Sequence, residues 1–143
     1  MNKAILDQWV KTNQVRIRQI DKERIKSMLI SAEINAGIIL SIPLNEQSAT
    51  VICRELYESI RQLGDAKLWS MGFEPQNHEV SLEIIKSLDI QSKLLLNHLP
   101  RFKAIRHDIN YRGYRATINQ AKDIIEFWNK CGKEIISALK KEI

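Results

Sequence analysis

The chain has 143 residues, of which 44% are hydrophobic and 27% charged, with only three prolines and five glycines; this composition excludes a disordered or low-complexity protein. That length suits one domain, residues 1–143, burying about two thirds of the surface its unfolded chain would expose. The formal charge of +5 is unevenly placed, because Arg101, Lys103, Arg106, Arg112 and Arg115 stand together against a single acid, Asp108.

In chain order, Lys3 to Val10 reads as a short first helix, with Ala4, Ile5, Leu6, Trp9 and Val10 supplying an apolar side. Asp21 is placed to cap a second helix, in which Ile25, Met28, Leu29, Ala32, Ala36 and Ile39 recur at three- and four-residue intervals before Pro43 ends it. Asn45 is the expected cap of a third helix running to the MGFEP break, with Ala49, Cys53, Leu56, Ile60 and Leu63 as its stripe. A shorter helix starts near Asn77, and another, SKLLLNHL, leads to Pro100. The last helix carries a seam of Ile118, Ala121, Ile125, Trp128, Gly132, Ile135 and Leu139, on which Gly132 would admit a neighbouring backbone at a cost of about 1 kcal/mol in helix propensity. No alternating strands bounded by hairpin turns stand out. The expected fold class is therefore all-α, an up-and-down bundle of five to six helices with short connections.

Cys53 and Cys131 lie in helical surroundings without CxxC or histidine spacing and read as core thiols of a reducing compartment. The longest apolar run, AGIILSIPL, is too short to span a bilayer, and the N-terminus lacks a basic-then-apolar leader, so a cytoplasmic protein without a membrane partner is expected. Neither a metal nor a cofactor is called for, since glycine-rich phosphate loops, HExxH and GxSxG are all missing.

Phosphate recognition would then fall to arginine, which forms paired parallel hydrogen bonds and stays charged when partly buried. Arg101, Arg106, Arg112 and Arg115 are the candidates, with Tyr111 and Tyr114 as stacking surfaces. Basic groups interleaved with aromatic rings suit single-stranded nucleic acid or a nucleotide better than duplex DNA. Among three histidines, His78 reads as a first-turn surface residue and His98 as a partner of a helix C-terminus. His107, among arginines, is expected to be a neutral imidazole able to accept a proton.

The succession of ICRELYESIRQLGDAKLWSMGFEPQNHEV, a shorter helix, IRHDINYRGY and QAKDIIEFWNKCGKEIISAL resembles the HEPN superfamily of small helical bundles, over roughly Asp21 to Leu139. Gly72 and Asn77-His78-Glu79 match that family's glycine turn and polar helix start. Its signature is an arginine followed a few residues later by a histidine. Arg101 and His107 have that spacing, whereas the neighbouring pattern aligns Arg106 with the arginine, His107 with the polar residue after it, and Tyr111 with the histidine.

The resemblance implies a homodimer with paired basic clefts that bind RNA or a nucleotide, and a metal-independent endoribonuclease of the toxin–antitoxin kind. Arg106 would stabilise charge on phosphorus, and His107 or Tyr111 would take the 2′-hydroxyl proton. Asp108 would tune the histidine, while Arg101, Arg112, Tyr114 and Arg115 would hold flanking phosphates. Tyrosine, with a pKa of about 10, is a weak base at neutral pH. The same resemblance therefore also fits a non-catalytic module that binds a nucleotide or a nucleotidyltransferase-like antitoxin partner.

Overall fold

The computed structural model describes residues 1–143 and is an all-α bundle with one small β-ribbon. Asn2 caps helix α1 (Lys3–Lys11) by accepting from the Ile5 amide at 2.9 Å, and Leu6 and Trp9 turn inward. Asn13 then takes a left-handed conformation, φ 62°, and the chain enters strand β1 (Val15–Ile17). This strand pairs antiparallel with β2 (Phe73–Pro75), with Arg16 opposite Glu74. Three residues are too few to show period-2 alternation, so the ribbon leaves no trace in the sequence pattern. It ties the N-terminus to the turn that β2 follows.

Asp21 caps helix α2 (Lys22–Leu40), accepting from the Arg24 amide at 3.1 Å. Ile25, Leu29, Ala32 and Ala36 are buried, and Ser41 closes the helix two residues before Pro43. Asn45 does not cap the next helix directly. Its side chain accepts from the Gln47 and Ser48 amides, both at 2.9 Å, and the Ser48 hydroxyl donates to the Pro43 carbonyl, making a turn that delays helix α3 (Ala49–Ser70).

Helix α3 is the axis of the bundle, about 33 Å long at the usual rise. It is buried on most sides, and α2 packs along it. So do helices α4 (His78–Lys86), α5 (Leu99–Arg112), α6 (Ile118–Phe127) and α7 (Lys133–Glu142). Thirty-five buried apolar residues form one contiguous core around it. The crossing with α4 is tight at Gly64, where a Cβ would overlap the backbone of Ser81. This close approach has no periodic signature, because a glycine inside a helix reads only as a weak helix former.

The segment Lys93–His98 is a 3₁₀ stretch rather than a full helix, with Leu94 in solvent. Pro100 opens α5 instead of ending the element before it, as suits a residue whose missing N–H would be unpaired in a first turn. The basic segment is thus itself helical up to Gly113, whose φ of 64° makes the stop. A capping box of Thr117 and Gln120 starts α6. A π-helical turn, Trp128–Gly132, joins α6 to α7. Gly132 serves the Trp128 ring of its own helix, which a Cβ would meet at 2.9 Å, not a neighbouring backbone. No helix is long and apolar enough to cross a membrane.

Candidate phosphate site at the junction of three helices

One residue per 100° of turn sorts the basic segment of α5 onto two faces. Phe102, Ile105 and Ile109 are buried against the core, and Arg106 lies on their flank. His107, Asn110, Tyr111 and Arg112 face solvent, Tyr111 with 71% of its surface exposed.

The outward face is held by surface interactions. The His107 and Tyr111 rings, one turn apart, lie with centroids 4.8 Å apart at a tilted angle. Arg112 approaches Asp108 at 3.8 Å, Tyr114 donates its hydroxyl hydrogen to Gln120 at 3.0 Å, and Arg115 donates to the Gln47 carbonyl at 2.9 Å. Arg101 turns the other way, with Asp123 at 3.0 Å and His98 Nδ1 at 2.6 Å. The cations expected to surround His107 are thereby drawn to separate partners. Arg101 and His107 do not share a cleft within one chain.

Arg106 is different. Its guanidinium sits over the ring of Tyr57, 5.6 Å from the centroid, and its side chain keeps 21% of its surface in solvent. A guanidinium carries five donors, yet the only protein acceptor is Glu58 at 3.5 Å, and the buried Nε has none. Arg61, one turn along α3, is by contrast held by two short ion pairs, with Glu58 at 3.1 Å and Asp65 at 2.7 Å. Asp65 in turn accepts from the hydroxyl of Ser81, which is wholly buried on α4.

The result is a row of Glu58, Arg61 and Asp65 on α3, spaced three and four residues apart, with α4 pressed on one side and Arg106 entering from α5. His78 heads α4 beside this row, just after Asn77, whose side chain accepts from the Val80 amide at 3.0 Å. Desolvation and the charges of Arg61 and Arg106 hold the His78 imidazole below its ordinary range, against the opposing pull of Glu58 and Asp65. Burial pushes the Tyr57 phenol up, with Arg106 working against it. Glu79, the next residue, is drawn below the usual carboxylate range by its bond to Lys103 at 2.7 Å.

Sequence reasoning selected Arg106, read His78 only as a first-turn surface residue, and passed over Tyr57, Glu58, Arg61, Asp65 and Ser81. The signal available was the i, i+3, i+7 row of charges on a helix whose remaining sides are apolar; it is visible only once α3 is known to be buried nearly all round. Burial also pushes the thiols of Cys53 and Cys131 up to about 11, which leaves them as packing groups. No group of three or more His, Cys, Asp or Glu side chains is arranged to hold a metal ion. Comparison with known proteins supplies no relative: no protein-family model, curated protein or solved structure matches the chain.

Proposed function

We propose that the protein is a HEPN-type phosphodiester-binding bundle that acts on single-stranded RNA in the cytoplasm, as a metal-independent endoribonuclease working in a homodimer. The observation that carries this reading is Arg106: a cation held on an aromatic ring, desolvated on one side, with one of its five donors engaged by a single long contact. Such a group offers its spare donors to a phosphate at little reorganisation cost. The outward residues His107, Tyr111, Arg112, Tyr114 and Arg115 extend the site, offering rings for bases and charges for neighbouring phosphates.

A second copy is supported by the exposed stripe of Ile30, Ile34 and Ile38 on α2. The stretch 27–45 that contains it has Glu33 as its sole charge, and small neighbours such as Ser31 and Gly37 allow a close helix pair. Ile34→Asp should convert a dimer into a monomer in sedimentation velocity.

The non-catalytic reading, a module binding a nucleotide or a nucleotidyltransferase-like partner, is favoured by one feature. His107 and Tyr111, the bases the motif would supply, point away from Arg106 in the chain that carries them.

Affinity for a mixed-sequence single-stranded RNA, measured at rising salt, tests the phosphate reading. Log affinity should fall linearly with log salt, at about 0.7 per phosphate neutralised, and Arg106→Gln should flatten that line. An affinity insensitive to salt would remove RNA from the account.

A further inference from the structure

His107 and Tyr111 leave Arg106 without a base on its own helix, and the junction offers one from α4. The first turn of α4 is fixed in place by two features. Gly64 lets the Ser81 backbone rest directly on α3, and the buried Ser81 hydroxyl is bonded to Asp65. His78 lies three residues before Ser81 and so shares its face of the helix, one turn nearer the end. Its neighbour Glu79 is bonded to Lys103, one turn before Arg106 on α5, so the head of α4 lies beside the place where Arg106 reaches Glu58. Ser81 is closed off from solvent, whereas His78 stands exposed at the rim, open to a ligand.

We infer that His78 is the proton-transfer group of the Arg106 site, its substrate the ribose 2′-hydroxyl of single-stranded RNA. The inference rests on the ribonuclease reading above. In the step, the His78 imidazole removes the 2′-hydroxyl proton as the 2′-oxygen bonds to the adjacent phosphorus. The bond from phosphorus to the 5′-oxygen breaks, that oxygen takes a proton from water, and the hydroxide left takes the proton from the His78 imidazolium, restoring the neutral base. The products are a 2′,3′-cyclic phosphate and a 5′-hydroxyl, and no oxidant, reductant or metal enters the balance. Arg106 faces the charge that builds on the phosphoryl oxygens.

The charged groups around His78 suit this task. Glu58, Arg61 and Asp65 face it from α3 and Arg106 from α5, while Glu79 on its own helix is tied to Lys103. Desolvation and the two arginines prevail, so the imidazole stays neutral further into acid than a free histidine, whose value is about 6.5. A neutral imidazole is the form a general base requires.

The test uses the full chain in excess EDTA, with a mixed single-stranded RNA for cleavage and a 2′-O-methyl RNA oligonucleotide, which binds without being cut, for affinity. His78→Ala should lose at least about 100-fold in cleavage rate, with oligonucleotide affinity changed less than about twofold. Imidazole added to the buffer should restore part of the rate. The acid limb of kcat/KM should lie below the ordinary histidine range in the native chain, vanish in His78→Ala, and persist in His107→Ala. Cleavage that survives His78→Ala with its acid limb intact overturns the inference and leaves the ribonuclease reading standing. A native chain that binds the oligonucleotide yet cuts no RNA overturns it in favour of the binding module. Failure both to bind and to cut removes the RNA reading with it.

Discussion

Arg106 and His107 are neighbours in sequence and belong to different environments. On the inward side of α5, Arg106 joins buried Tyr57 and the Glu58–Arg61–Asp65 row; on the outward side, His107 and Tyr111 touch each other and solvent. A charge on the inner side is desolvated, so each of its contacts carries weight, whereas a charge on the outer side is screened and mobile. Charge density along the chain reports the sum of the two. Only the helical turn separates them.

The largest expected difference lies in packing. Gly64→Ala places a Cβ against the Ser81 backbone and should destabilise the protein by about 3 kcal/mol or more in urea denaturation, since neither helix can move without disturbing the core. On the outer side, Gly113→Ala meets nothing and costs only the left-handed conformation, about 1 kcal/mol. Equal losses would erase the distinction between the two faces.

A smaller effect follows from the charges. Replacing Arg106 by methionine removes a ring-stacked cation from beside Glu58 and should cost about 1 to 2 kcal/mol, whereas Arg112→Met should stay within about 0.5 kcal/mol. The same denaturation experiment reads both.

The pH dependence sharpens the comparison further. Because the folded His78 resists protonation, the unfolded chain binds more protons once pH falls below about 6.5, and stability declines through that window toward acid. His78→Gln should make the decline shallower. Arg61→Gln removes a charge that opposes protonation and should raise the His78 titration midpoint, as followed by imidazole NMR. A midpoint that moves down, or stays fixed, would place His78 away from the row.

The smallest expected signal is chemical. With thiols raised to about 11 and buried, Cys53 and Cys131 should be unreactive toward a disulfide reagent at pH 8 until the chain unfolds. Fast labelling of either would mean that the core around α3 opens readily.

Much of the fold was legible because it rests on local rules. Asp21 caps the helix it was expected to cap, a helix starts beside Asn77 as expected, and the apolar stripe of α3 and most of that of α2 are buried as their spacing requires. What stayed hidden depends on contacts between distant residues. The pairing of Val15–Ile17 with Phe73–Pro75, the fit of Gly64 to Ser81, and the convergence of His78 with Arg106 each join segments with no local mark of partnership. Pro100 was read as a stop, although a proline serves equally in a first turn, and only the residues after it decide between the two. Within the candidate site, residue type identified Arg106; side-chain direction, which linear spacing cannot supply across three helices, identified its neighbours.

The most direct measurement compares the affinity of the 2′-O-methyl RNA oligonucleotide for the native chain, for Arg106→Gln, and for the doubly substituted Arg112→Gln/Arg115→Gln protein at one salt concentration. The double variant loses two charges and the single variant one, so simple electrostatics favours a larger loss in the double. A site at the three-helix junction predicts the reverse, with Arg106→Gln weaker by at least about tenfold, or about 1.4 kcal/mol, than the double variant. Native-like binding by Arg106→Gln, with most affinity lost in the double variant, would place the site on the exposed face and contradict the account.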